Sequence, residues 1–162
     1  MRAIDVIVAQ PQWNGEHLAV LGVSQGGFQV LAAAGLDKRV TYFTAGVAAG
    51  CDHAAGYAVS PRIVGWPKLL AGLEGAEREA AREASRYFDG CNFASRITCL
   101  GLLTVGYIDT ACPPSTVYAA YNALAGGPKK MHDDATAGHE NAPAMGKEMV
   151  DSVREHIASV RV

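Results

Sequence analysis

The stretch LGVSQGGFQV, residues 21–30, decides the fold because a serine stands between glycines where one apolar run ends and the next begins. The run before it, HLAVLGV over 17–23, is short, aliphatic and flanked by glycines, which predicts a strand buried on both faces. A helix is predicted to start near Ser24. Since a GxSxG sequence gains meaning where a strand turns sharply into a helix, Ser24 is a candidate nucleophile.

The glycines around Ser24 fit that interpretation physically. A nucleophile at such a turn has a strained backbone, and we expect side chains at Gly22 and Gly26 to collide with the neighbouring strand and helix. Gly27 is expected to let the helix pack closely. The alternative is a glycine-rich phosphate-binding turn, but neither a GxGxxG spacing nor a following lysine supports it.

Composition limits the classes of function. The 162 residues, with 49% hydrophobic and 19% charged side chains, predict one domain over 1–162. A net charge of −2, with no basic block, argues against nucleic acid or an anionic membrane as partner and favours a small neutral ligand. No signal-peptide pattern or long apolar stretch is present, so we expect a soluble, cytoplasmic protein.

The cysteines point to no metal or redox site. No CxxC pair or accompanying histidine spacing occurs among Cys51, Cys91, Cys99 and Cys112. We expect them to be reduced and mostly buried, and we expect the protein to use neither a metal nor a cofactor.

Apolar runs alternate with helical patterns, which predicts an α/β fold with a parallel sheet and flanking helices. Strands are predicted at 17–23, 40–47 and 99–109, with a weak fourth at 129–135. Helices are predicted at 2–9, after Ser24, and over 74–88, 113–124 and 142–159. Most of the glycine- and alanine-rich segment 47–74 stays unassigned.

A serine nucleophile in an α/β-hydrolase arrangement needs an acid and then a histidine, each on a loop after a later strand. Asp109 ends the predicted strand 99–109; its alternative role is to cap the helix that starts at Pro113. His139 lies in the loop before the last helix and alone has the right order and context. The other histidines are His17, His53, His132 and His156. In His132-Asp133-Asp134, consecutive strand residues point to opposite faces, which argues against a metal site.

Five stretches carry a specific resemblance. The chain is similar to the C-terminal half of acetyl xylan esterases, of the family that also includes cephalosporin C deacetylases. The matching stretches are RAIDVI (2–7), GVSQGG (22–27), RYFDGCNFASRITC (86–99), GLLTVGYIDTACPPSTVYAAYNAL (101–124) and GHE (138–140). The resemblance implies Ser24 as nucleophile, Asp109 as acid, His139 as base and the backbone N–H of Gln25 as an oxyanion donor.

The chain also departs from the family. An Arg-Gly-Gln stretch expected upstream of the serine has no counterpart, and Leu100 stands where a proline is usual. A complete fold of this family carries about eight strands, so the N-terminal strands are expected to be missing, together with the second oxyanion donor. Loss of one donor typically lowers the rate about a hundredfold to a thousandfold. A truncated chain, a gene fragment and a natural short protein all fit these departures.

We therefore expect a serine esterase that removes acetyl groups from acetylated xylan, other sugars or similar small esters. Two alternatives stay open: a poorly active fragment that serves as an oligomerising module, and another hydrolase with the same triad, such as a thioesterase or peptidase. The missing strands would leave strand 17–23 unpaired along one edge, which predicts a homo-oligomer, or a segment 47–74 that folds back over that edge.

Overall fold

The computed structural model describes residues 2–53, 65–126, 129–140 and 142–159. Four parallel strands form one sheet in the order β1-β2-β3-β4. The strands are β1 (Ala19–Val23), β2 (Tyr42–Gly46), β3 (Leu100–Gly106) and β4 (Lys129–Asp134). The described helices are α1 (Arg2–Val8), α2 (Gln25–Leu36), α3 (Gly65–Ala71), α4 (Gly75–Arg86), α5 (Gly90–Ala94), α6 (Pro114–Ala123) and α7 (Pro143–Ala158).

The parallel α/β prediction is confirmed, and all four predicted strands are present in shortened form. Two short helices, α3 and α5, have no counterpart among the predicted elements. The first turn of α5 is fixed by the Asp89 side chain, which accepts a hydrogen bond from the backbone N–H of Cys91. Part of the segment left unassigned, residues 54–64, lies outside the described residues.

The main core lies between the sheet and the helices α2, α5 and α6. Phe43 of β2 pairs in register with Gly101 of β3, and its ring lies across that glycine: a Cβ built there would be 2.1 Å from the ring. Fully buried Leu31, Leu103 and Val117 pack in the same core. Each such side chain contributes about 1.5–3 kcal/mol relative to an exposed one.

Strand β1 lies at an edge of the sheet, and the prediction that it is buried on both faces is wrong. Leu21 is 51% exposed and Val23 is 39% exposed. These two residues share one face of the strand, since side chains alternate along it. Helix α2 packs against β1, whereas α7 packs against β2, β3 and β4. The face of β1 that carries Leu21 therefore stays open in the described part of the chain.

No disulfide joins the four cysteines, all of which lie in the described part of the chain. Cys51 and Cys112 are buried, and Cys91 and Cys99 are half-buried. Burial raises the pKa of Cys91 to about 12, which keeps it a thiol at neutral pH. None of the described helices has the length and apolar character that crossing a bilayer requires.

Candidate active site

Ser24 lies at the turn between β1 and α2 in the strained conformation expected of it. Its φ is 57° and its ψ is −118°, a region that residues with a Cβ rarely adopt. The surrounding backbone holds it there. The Ser24 N–H donates to the Gly46 carbonyl (2.8 Å), and its carbonyl accepts from the N–H groups of Phe28 (3.1 Å) and Ala49 (3.0 Å).

The neighbouring glycines have different reasons for being small. A Cβ on Gly22 would lie 2.5 Å from the backbone C and O of Gly26, and one on Gly27 would lie 3.0 Å from the Gly46 carbonyl oxygen. A Cβ on Gly26 would meet nothing within 4 Å. The collision expected at Gly22 is therefore present, whereas the one expected at Gly26 is wrong. The backbone of Gly26 is what requires a glycine at position 22, whereas nothing near Gly26 excludes a side chain there.

The structure brings Ser24, His139 and Asp109 together in a line of hydrogen bonds. The Ser24 Oγ is 2.8 Å from His139 Nε2, and His139 Nδ1 is 2.9 Å from Asp109 Oδ2. A carboxylate accepts hydrogen bonds, so Nδ1 carries the imidazole proton and the neutral ring presents Nε2 as acceptor to the serine hydroxyl. This is the arrangement in which a histidine can take the proton of a serine.

Asp109 is held rigidly. It is 3% exposed and lies three residues beyond the end of β3 at Gly106. Its second oxygen, Oδ1, accepts from the backbone N–H groups of Ala111 and Cys112, both at 2.8 Å. The alternative prediction was that Asp109 caps the helix that starts at Pro113. Pro113 itself occupies the N-cap position of α6, and the Asp109 carboxylate instead fixes the turn before that helix. One side chain fills both roles, with a different oxygen for each.

The loop that carries His139 is fastened to the loop that carries Asp109. The N–H of Ile108 donates to the Ala137 carbonyl (3.1 Å), and the approach is close enough that a Cβ on Gly106 would lie 2.4 Å from that carbonyl oxygen. Glu140 folds back to accept from the Gly138 N–H (3.0 Å), which lowers the pKa of its carboxyl. Glu140 adjoins His139 in the GHE stretch, but its contact with Gly138 depends on the folded loop and was not predicted from the sequence.

A cavity of about 420 Å³ opens at Ser24 and His139. Its wall is mostly apolar, with a few polar groups, as is usual for small-molecule sites. The lining residues are Ser24, Gln25, Phe28, Ala49, Gly50, His53, Gly65, Trp66, Pro67, Phe88, Ala111, Cys112 and His139. Gln25 is the first residue of α2, so its backbone N–H has no acceptor within the helix and is available at the cavity.

Among the described residues, one group of side chains is close enough to hold a metal ion. It consists of Asp109, Cys112 and His139, whose donor atoms lie within 4.8 Å of one another. Both ring nitrogens of His139 are already hydrogen-bonded, to Ser24 and to Asp109. A metal ligated by this imidazole would therefore have to displace one of those two bonds.

The run His132-Asp133-Asp134 diverges as expected. His132 Nδ1 bonds the Glu148 carboxylate, and Asp133 accepts from the Tyr107 hydroxyl (2.7 Å). Asp134 accepts from the N–H and hydroxyl of Thr136. Because each side chain has a separate partner, the three do not converge on one point.

The chain is similar to known hydrolases in both fold and sequence. The fold is that of α/β-hydrolases, a class of esterases and peptidases. The sequence profile of the acetyl xylan esterase (AXE1) family matches residues 1–156, and the chain belongs to this family. It is 40% identical over 124 residues to the acetyl esterase Axe7A of Xylanibacter ruminicola, an alignment that covers 76% of this chain and 28% of that protein.

Solved structures of acetyl xylan esterases agree with this family assignment. An acetyl xylan esterase from Paenibacillus sp. R4 superposes with a TM-score of 0.86 at 32% identity, over 95% of this chain and 50% of the other. The acetyl xylan esterase 1 of a Thermoanaerobacterium species gives 0.84 at 26% identity, with the same coverage. An acylaminoacyl peptidase of Pyrococcus horikoshii, at 16% identity and a TM-score of 0.72, shares the fold alone. The chain thus spans half or less of the length of these relatives.

Proposed function

We propose that this protein is a serine esterase that releases acetate from acetylated sugars or similar small esters. The observation that carries the proposal is the pair of hydrogen bonds that joins Ser24 to His139 and His139 to Asp109 at the mouth of the cavity. Membership of the acetyl xylan esterase family supports the ester class. The acetyl group and the sugar are taken from the names of the relatives.

The proposed reaction has two halves. The Ser24 Oγ attacks the ester carbonyl carbon while His139 Nε2 takes the hydroxyl proton, and the Gln25 N–H donates to the developing oxyanion. The bond to the alcohol then breaks, and that proton passes to the leaving oxygen. Water then attacks the acetyl-serine carbonyl while His139 takes its proton; the bond to Ser24 Oγ breaks, the proton returns to that oxygen, and acetate is released. Asp109 keeps the imidazole in the required tautomer throughout.

The proposed enzyme is slow when this chain acts alone. In this proposal Gln25 supplies one oxyanion donor, and a second donor is expected from a part of the fold that the longer relatives have in addition to the stretch they share with this chain. Removal of one donor typically costs about a hundredfold to a thousandfold in rate. Turnover should therefore be measured with an activated ester such as phenyl acetate, whose good leaving group keeps a weak enzyme detectable.

The test compares phenyl acetate hydrolysis by the native chain and by three variants. Ser24→Ala and His139→Ala should abolish turnover above background, and Asp109→Asn should lower kcat by about a thousandfold or more, because the amide misorients the imidazole. Ser95→Ala, which removes an exposed hydroxyl whose hydrogen-bond partner within the described ranges is the Asn92 carbonyl, is the matched control and should keep full activity. Turnover within twofold of native in Ser24→Ala would remove this serine from the mechanism.

A further inference from the structure

His53 is a buried imidazole that lines the cavity beside Ser24 yet takes no part in the hydrogen bonds of the triad. It is 3% exposed. A polar ring in a mostly apolar wall costs free energy unless its polar atoms find partners. The partners that each of its ring nitrogens has, or lacks, therefore indicate what His53 does.

The backbone at His53 is clamped. Asp52 has a φ of 51°, and the N–H groups of Asp52 (2.9 Å) and His53 (2.7 Å) both donate to the carboxylate of Asp89. Asp89 is itself buried and fixed at the start of α5. The position of the imidazole is therefore set before any ligand binds, which is a requirement for a specificity contact.

One ring nitrogen is committed to the protein. His53 Nδ1 lies 3.1 Å from the backbone carbonyl of Ser85, which can only accept, so Nδ1 carries the proton. In the neutral ring, Nε2 is then an acceptor. Within the described ranges, His53 Nε2 has no hydrogen-bond partner. The described part of the protein does not enclose this atom completely. An acceptor is therefore left over on a ring that lines the cavity.

The surroundings of His53 present flat apolar surface. Its ring lies 6.2 Å from that of Trp66, which stacks on Phe88 at 6.0 Å with an angle of 21° between the rings. Trp66 and Phe88 both line the same cavity. A ligand that suits this wall has an apolar face together with a hydroxyl that can donate to one fixed nitrogen. A sugar ring, with C–H groups on its faces and hydroxyls at its rim, has both.

We infer that His53 is a specificity-determining residue whose Nε2 accepts a hydrogen bond from a free hydroxyl of the sugar that bears the acetyl ester. Trp66 and Phe88 contact the face of that sugar. The inference rests on the proposed esterase function and deepens it: the substrate class becomes partly acetylated pyranosides that keep a free hydroxyl, as opposed to simple acetates or fully acetylated sugars.

Two variants separate this role from a structural one. His53→Asn can still donate to the Ser85 carbonyl, because its amide nitrogen replaces Nδ1, but it has no atom in the place of Nε2. His53→Gln does the reverse. The measurement is the ratio of kcat/KM for a methyl mono-O-acetyl-xylopyranoside to kcat/KM for phenyl acetate, which carries no hydroxyl. The ratio cancels general effects on the fold or the triad.

We expect His53→Asn to lower this ratio about threefold to tenfold, as loss of one neutral hydrogen bond does, and His53→Gln to stay within about twofold of native. The proposal is overturned if the ratio is unchanged in His53→Asn. It is equally overturned if His53→Gln is the more impaired of the two, since that order belongs to a ring that merely supports the Ser85 carbonyl.

A second measurement needs no turnover and no variant. Methyl β-xylopyranoside is titrated into the native protein while the ¹⁵N resonance of His53 Nε2 is followed by NMR. A saturable shift supports the proposal, and absence of binding, or binding that leaves this resonance in place, overturns it. A native chain that fails to hydrolyse phenyl acetate would remove the proposed function, and the titration would still decide the role of His53.

Discussion

At the scale of single residues, the strained backbone conformation of Ser24 depends on the close approach of Gly22 and Gly26. A sparsely populated backbone conformation of this kind costs a residue with a Cβ about 1–3 kcal/mol, and three backbone hydrogen bonds around Ser24 hold it there. The turn can be this sharp because Gly22 lets the backbone of Gly26 approach to a distance that no Cβ permits. The strain places the Ser24 hydroxyl at the cavity.

Substitutions at the two glycines should therefore have opposite outcomes. Gly22→Ala should lower the free energy of unfolding by about 1–3 kcal/mol or more, since its Cβ would collide with backbone atoms 2.5 Å away. Gly26→Ala should leave stability equal or raise it by up to about 1 kcal/mol, because the space is open and alanine favours the helix. Urea unfolding measures both. Equal destabilisation by the two changes would contradict this account of the turn.

At the scale of elements, α7 covers the middle of the sheet through His156. Its ring stacks on Tyr42 of β2 with centroids 4.8 Å apart, its Nε2 is 3.1 Å from Thr41 Oγ1, and the ring of His17 meets it edge-on at 5.2 Å. Burial, with the neighbouring His17, lowers the pKa of His156 below its ordinary value of 6.5. Charging this imidazole therefore opposes the packing of α7.

This lowered pKa gives stability a pH dependence with a definite sign. Above about pH 6.5 His156 is neutral in both the folded and unfolded states; below it, the unfolded chain takes up a proton that the folded chain resists, so stability falls. His156→Gln keeps an amide near Thr41 and does not titrate. We expect the native free energy of unfolding to drop more than that of His156→Gln between pH 8 and about pH 5.5. Parallel pH profiles for the two proteins would contradict the prediction.

The elements differ in how far the sequence predicted them. Strands such as Leu100–Gly106 are continuous apolar runs, and such runs can be recognised in the sequence without tertiary context. The helices Gly65–Ala71 and Gly90–Ala94 are too short for a helical period to show, and α5 depends on a cap from Asp89. The proximity of Ser24, Asp109 and His139 was predictable from their order and loops, whereas the role proposed for His53 and the contact of Glu140 with Gly138 depend on the folded structure.

At the scale of the whole molecule, the sheet of the described residues ends at β1, the strand that leads into Ser24. Strand β1 hydrogen-bonds to β2 on one side and has no strand on its other side in the described ranges. Leu21 and Val23 are exposed on its open face. An unpaired edge beside apolar side chains favours association with another chain. The family resemblance predicted that strand 17–23 lies at an edge of the sheet. The exposure of Leu21 and Val23 was not predictable in the same way, because it depends on which helix covers which strand.

We propose that the chain forms a homo-oligomer through this edge. Sedimentation at low micromolar concentration should show a dimer or larger species, and Leu21→Lys should shift it toward monomer by placing a charge on the edge strand. Leu36→Lys is the matched control, since Leu36 is also 51% exposed but ends α2 instead, and should leave the association unchanged. A native chain that sediments as one monomeric, cooperatively folding species would refute the proposal.

Labelling with an activated organophosphonate tests directly whether Ser24 is a nucleophile activated by His139 and Asp109. Such a reagent needs only one attack by the serine and no complete turnover, so a weak enzyme still reacts. Intact-protein mass spectrometry should show one adduct per chain, located on Ser24, absent from Ser24→Ala and formed much more slowly in His139→Ala. A folded native chain that stays unlabelled, or is labelled at another serine, would contradict the account.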